Sequence, residues 1–112
     1  MELRYRLEWE IKRQLEKPNN GLKKLIIPIT DLSAKETAEI LIDTLNNNKG
    51  IIIMELEARG RFISNAVDVL EILKQNETVM KPKIDTETVK MKSREGKAVN
   101  VSRISITVTK KQ

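Results

Sequence analysis

Between Leu25 and Glu57 a short apolar run, a helical stretch and a second apolar run follow one another closely. Leu25–Ile29 reads as a short buried strand. Ser33 and Glu36 form a capping-box pattern, and a helix follows to about Leu45. Its apolar face is Ala38, Leu41, Ile42 and Leu45, and Asn46-Asn47-Asn48-Lys49-Gly50 ends it. Ile51–Glu57 is a second strand, opening on the continuous run Ile51, Ile52 and Ile53. A strand, a helix and a strand in such succession predict a right-handed crossover joining two parallel strands.

The rest of the chain builds on that unit. After the turn Arg59-Gly60-Arg61 a second helix runs to about Lys74, with Ile63, Ala66, Val67, Leu70 and Leu73 on its buried face. Ile84–Lys92 and Val99–Thr109 are rich in Val, Ile and Thr, and Ser93-Arg94-Glu95-Gly96-Lys97 between them is a hairpin turn signal. Ile104, Ile106 and Val108 share one face of the last strand. The order β-α-β-α-β-β predicts an α/β two-layer sandwich: a four-stranded mixed sheet with two helices, plus an N-terminal extension.

That extension, residues 1–20, is amphipathic and reads two ways. Leu3, Tyr5, Leu7, Trp9 and Ile11 alternate with charged residues, as in a strand. Leu3, Leu7, Ile11 and Leu15 are also spaced four apart, as on a helix, and the Glu, Lys, Arg, Gln and Leu content favours helix. On a helix Arg4–Glu8, Arg6–Glu10 and Glu8–Lys12 would be i,i+4 pairs. Pro18-Asn19-Asn20-Gly21 breaks the chain. Residues 21–112 then form the main domain.

At 112 residues the chain fits one domain and needs no crosslink to hold a core. It has no cysteine and no histidine, so thiol nucleophiles, thiolate metal sites and the commonest general base are absent together. No Ser-His-Asp or Cys-His set can be built, and neither GxGxxG nor GxxxxGK[ST] occurs. Acids show no EF-hand-like spacing. The expectation is a protein that is not an enzyme and takes no cofactor, metal or small-molecule substrate. No signal-peptide pattern and no span-length apolar run is present, so the expected location is cytoplasmic.

Charge supplies the functional clue. Residues 81–112 carry nine basic and three acidic side chains, while the whole chain has a net charge of +5. A local basic surface attracts polyanions, though a solvated Lys-rich face chosen for solubility has the same composition. Arg59-Gly60-Arg61 sits where a strand hands over to a helix, and Arg forks and helix-start N–H groups both suit phosphate. The alternative is a tight turn with two solvated arginines. Lys90 and Lys92 share one strand face, with Arg94 and Lys97 flanking the hairpin tip. Such a hairpin tracks a duplex backbone or enters a minor groove; equally, lysines protect edge strands. One Phe, one Trp and one Tyr cannot make the stacking platform of common single-strand binders. Binding should therefore rest on phosphates and shape, with steep salt dependence and little sequence selectivity.

The stretch Ala58-Arg59-Gly60-Arg61-Phe62-Ile63-Ser64-Asn65-Ala66-Val67-Asp68-Val69 resembles the signature of the Alba family, small archaeal chromatin and RNA-binding proteins. The similarity extends over roughly residues 22–111, taking in Lys35, Asn48-Lys49-Gly50, Gly96 and Val101-Ser102-Arg103-Ile104-Ser105-Ile106. It implies a fold like the C-terminal domain of translation initiation factor three, a homodimer, binding to duplex DNA and/or RNA, and a nucleoid or chromosome-associated location. The family's lysine pair before the first helix is here Ala34-Lys35, so Lys35 alone carries over. Arg59 and Arg61 match the basic loop around Gly60, and Lys97 a basic hairpin position; Asn100 replaces another arginine. Together the candidate nucleic-acid contacts are Lys35, Arg59, Gly60, Arg61, Lys90, Lys92, Arg94, Lys97 and Arg103. This chain departs from the family in the amphipathic residues 1–20 and in Phe62, which replaces a small residue. The aromatic residue expected after the second helix is missing from Leu73-Lys74-Gln75-Asn76. Two further roles stay open: an RNA-binding subunit of a ribonucleoprotein, and a protein-assembly module acting through Tyr5, Leu7, Trp9 and Ile11.

Overall fold

The computed structural model describes residues 2–16, 24–51 and 53–111. The order is α1 (Glu2–Leu15), β1 (Lys24–Pro28), α2 (Ala34–Asn47), β2 (Ile53–Arg59), a 3₁₀ turn (Gly60–Phe62), α3 (Ile63–Gln75), β3 (Val79–Lys92) and β4 (Ala98–Lys110). The four strands form one sheet in the order β1-β2-β4-β3, with β1 parallel to β2 and the other pairings antiparallel. This is the mixed α/β sheet that the sequence predicts. The break expected at Pro18-Asn19-Asn20-Gly21 lies outside the described residues, as does Ile52.

One face of the sheet carries the core. Leu25 and Ile27, Met54, Leu56 and Ala58, and Ile104, Ile106 and Val108 alternate inward and are almost fully buried. Against them α2 presents Ala38, Leu41 and Leu45, and α3 presents Ala66, Val69, Leu70 and Leu73. Ile42, expected inside, is only partly buried, whereas Ile40 is buried on the side that α1 approaches. Val67, also expected inside, is 38% exposed, and Val69 takes its place.

The N-terminal segment is a helix, and it joins the core. Leu7 and Ile11 are buried, contributing roughly 1.5–3 kcal/mol each. Leu3 and Leu15 lie at the margins, while Tyr5 and Trp9 face outwards. The i,i+4 pairs expected at Arg4–Glu8 and Arg6–Glu10 do not form: Arg4 reaches across to Glu36 and Glu39 on α2, and Arg6 turns back to Glu2. Glu10 instead binds Arg13 at 3.0 Å.

This helix also treats an edge strand. As an edge strand, β1 turns the N–H and C=O of Ile26 away from β2, a template for unwanted pairing. The side-chain amide of Gln14 meets both: its Nε2 donates to the Ile26 carbonyl at 2.7 Å and its Oε1 accepts from the Ile26 N–H at 2.8 Å. A side chain thus takes the place of a fifth strand.

The other edge strand, β3, begins at Val79 and not at Ile84 as expected. Pro82, inside it, cannot donate to the ladder. The strand accommodates it at a register shift between Met80 and Lys83, with Lys81 at φ 53°. Ahead of it α3 ends in a Schellman motif: Thr78 N–H donates to Leu73 C=O, Glu77 N–H to Lys74 C=O, and Glu77 takes the left-handed position at φ 53°.

Candidate nucleic-acid interface

β2 ends in register with β4 at Arg59 opposite Arg103. Beyond that point β3 and β4 continue as a two-stranded ribbon, Thr88–Lys92 against Ala98–Ser102, with no third strand beside it among the described residues. The molecule accordingly measures 45 Å along one axis against 31 and 28 Å. Strand alternation gives the ribbon two unlike faces. Lys90 and Lys92 lie with Asn100 and Ala98 on the side continuous with Ile104; Val89, Met91, Val99 and Val101 lie on the other. At the tip Ser93 N–H donates to Lys97 C=O, Gly96 N–H donates to Ser93 C=O, and Gly96 supplies φ 81°. Among the described residues Lys90, Lys92, Arg94 and Lys97 make no ion pair.

The Arg59–Arg61 turn lies at the root of this ribbon. Gly60 adopts φ 55°, and a side chain built there would meet Val101 of the ribbon at 3.7 Å. The left-handed backbone lets β2 hand directly to the 3₁₀ turn. Arg59 makes no ion pair among the described residues. Arg61 is engaged: it reaches Asp31 at 3.2 and 3.4 Å and stacks over the Phe62 ring with its guanidinium carbon 4.4 Å from the centroid.

The approach to α2 is pinned to the same turn. Asn65 Nδ2 donates to the carbonyls of Thr30 and Leu32, at 2.9 and 2.8 Å. Ser33 caps α2, accepting from the Glu36 N–H at 3.2 Å and donating to the Glu36 carboxylate at 3.3 Å. Exposed Lys35 stands in the first turn of that helix, where the macrodipole favours anions. Asn65 is the signature residue that holds the Lys35 helix start and the arginine turn together.

Arg103 occupies a different environment from the other candidates. On the sheet face away from α2 and α3 it bridges Glu57 at 2.9 Å and Glu87 on β3, and its Nε is buried without a partner. Glu87 and then Glu57 hold its guanidinium above its ordinary pKa. Glu57 shares a hydrogen bond with Glu55, which with burial pushes its carboxyl up despite Arg103. Glu55 is pushed down by that hydrogen bond and by Lys24, which lies 2.8 Å away. Arg103 is thus already compensated by two carboxylates, unlike the ribbon lysines.

Sequence reasoning found the cations and missed their local partners. Asp31 carries no spacing signal that ties it to Arg61, thirty positions on. Asn65 was visible only as part of the signature, without its role. Among the described residues there is no group of three acidic, histidine or cysteine side chains placed to hold a metal, and no helix is long and apolar enough to cross a membrane.

No protein-family model matches the chain. Among solved structures, Alba from Thermoplasma volcanium matches with a TM-score of 0.66 at 29% identity, over 75% of this chain and 98% of that one. ALBA1 from Trypanosoma brucei matches with a TM-score of 0.59 at 25% identity, over 85% of this chain and 72% of that one. These likenesses support an Alba-like nucleic-acid-binding protein. The resemblance read at Ala58–Val69 is matched by the architecture, and the chain has the Alba-like fold.

Proposed function

We propose that this chain is a nucleic-acid-binding protein that contacts duplex DNA and/or RNA mainly through phosphates, with low sequence selectivity, in a chromatin-architectural role. The observation that carries this reading is the basic ribbon rooted on the Arg59–Arg61 turn of an Alba-like fold. Lys90, Lys92, Arg94 and Lys97 line the projecting arm; Lys35, Arg59, Gly60 and Arg61 form the contact surface at its root. Arg103 acts there through Glu57 and Glu87, setting the charge of the sheet face. The working form is a homodimer, associated with the chromosome or nucleoid in the cytoplasm. In this reading residues 21–112 are the binding unit and residues 1–20 an extension, of which α1 braces the domain. No cofactor or small-molecule substrate takes part.

The test is a gel-shift titration of duplex DNA and of structured RNA across a salt series. Affinity should fall linearly in log–log form as salt rises, because phosphate contacts release counterions. Arg59→Ala with Arg61→Ala should weaken binding to all sequences alike. A flat salt dependence, or an unaltered double variant, would sink the proposal. Competition of folded RNA against duplex DNA at one salt concentration separates the chromatin role from an RNA-binding subunit of a ribonucleoprotein. The protein-assembly reading retains Tyr5 and Trp9, 67% and 53% exposed, but Leu7 and Ile11 serve this chain's own core.

A further inference from the structure

The fold brings together two of the places where this sequence departs from the Alba pattern. A cleft of about 450 Å³ lies between α1 and the Phe62 turn, with Leu3, Leu7, Leu32 and Phe62 among its apolar lining and Arg6 and Asp31 among its polar groups. Its volume falls in the range of small-ligand pockets, roughly 300–1,000 Å³. We infer that this cleft receives one unpaired nucleobase from a bound strand, while Arg61 takes the adjoining phosphate. The inference rests on the nucleic-acid reading above and names which part of the polymer this chain selects.

The chemistry of the cleft favours that occupant. Apolar walls that include an aromatic ring suit the flat face of a base, and base–aromatic contact is indifferent to sequence. The same Arg61 that covers Phe62 also grips Asp31 at the cleft. When a phosphate draws Arg61 away, the Asp31 carboxylate is left without its cation, beside the incoming base. Ring and exocyclic N–H groups are the donors it then accepts from. The polar lining of the cleft also includes Arg6, which turns back to Glu2 at 3.6 Å, and Glu10, whose carboxylate is held by Arg13 at 3.0 Å. A paired base cannot reach such a site, so the base must be extrahelical, as at a bulge or a single-stranded end. One aromatic ring is too little for a platform that reads a run of bases, but it is enough for one.

The experiment compares two duplexes of equal length, one fully paired and one carrying a single extrahelical 2-aminopurine, each as DNA and as RNA. Anisotropy gives affinity, and 2-aminopurine emission gives the environment of the base. The wild-type chain should bind the bulged duplex about tenfold more tightly than the paired one, with an emission change on binding. Thr30→Phe and Leu3→Phe each place a ring in the cleft from an exposed position, and Thr30 keeps the backbone carbonyl that Asn65 uses. Both variants should lose the preference for the bulge and keep their affinity for the paired duplex. Equal binding of the two duplexes by wild type overturns the inference and leaves the phosphate-binding reading standing. A preference that survives in both variants overturns it too. Failure to bind either duplex overturns both readings.

Discussion

Asp31→Asn should make this protein bind nucleic acid more tightly, which is an unusual result for deleting a salt bridge. Arg61 rests against Asp31 at 3.2 Å, with the two side chains 75% and 54% exposed. An exposed pair of this kind is worth about 0–1 kcal/mol, so the fold loses little when it goes. In the proposed mode the phosphate must first take Arg61 from Asp31. Removing that competitor recovers up to about 1 kcal/mol, close to a fivefold gain in affinity. The salt dependence carries the more specific signature. Contact of Arg61 with a phosphate releases a counterion from the polymer in wild type and variant alike. Asparagine also removes a negative charge beside that phosphate, a repulsion that salt screens, so the gain in affinity should be largest at low salt and the slope of log K against log salt should steepen. Fluorescence anisotropy between low and moderate salt reads both quantities. An unchanged slope together with unchanged affinity would refute the placement of Arg61 at the interface. Weaker binding would refute the view of Asp31 as a competitor.

Two further expectations concern the framework. Gln14→Ala removes both hydrogen bonds to Ile26, each worth about 0.5–1.5 kcal/mol net. Water replaces them at a half-open edge, so urea denaturation should register a loss of about 1–2 kcal/mol, and an unshifted midpoint would mean that the amide guards nothing. Glu57→Gln addresses pH. The hydrogen bond with Glu55 and burial raise the Glu57 carboxyl above its ordinary 4.5, so the folded state holds this proton more tightly than the unfolded chain. Its contribution is therefore complete below the ordinary value and lost as pH climbs through the raised one. Relative to Glu57→Gln, the wild type should gain stability on acidification across that window, and a constant difference between the two melting curves would contradict the shared hydrogen bond.

What could be read from the residues follows the range of the forces involved. Periodicity reports contacts within an element, and here it located β1, α2, β2, α3 and the hairpin, because each buries a regularly spaced face against one neighbour. It erred where two neighbours compete for a helix. Val67 and Val69 lie on opposite sides of a plausible stripe, and only the packing of α3 against both the sheet and α2 decides for Val69. Arg4 has a partner four positions away in Glu8, yet packing of α1 beside α2 offers Glu36 and Glu39. Pro82 lacks the N–H that a central strand needs, but at an edge with a register shift that absence costs nothing. The site shows the same division. Cations announce themselves in composition; whether each is free depends on carboxylates that arrive from distant elements, as Asp31, Glu57 and Glu87 do.

That distinction bears on how the proposed interface works. Eight basic side chains, with Gly60 between two of them, make up the candidate surface, but they do not contribute equally at a distance. Arg61 and Arg103 each sit within ion-pair reach of carboxylates, so their fields are largely cancelled beyond a Debye length of about 8 Å at physiological salt. The ribbon cations have no such partners among the described residues. The long-range attraction for a polyanion therefore comes from the arm, which steers the encounter. Arg61 enters only on contact, when a phosphate has come close enough to outcompete Asp31. Glu57 and Glu87 cannot be displaced from Arg103 in the same way, since two carboxylates would lose their cation at once and the Glu55–Glu57 pair would be left with less to offset its charge. In the proposed interface the three kinds of arginine and lysine environment then correspond to three roles: attraction by the ribbon, exchangeable grip by Arg61, and a fixed counter-charge at Arg103 on the acidic sheet face.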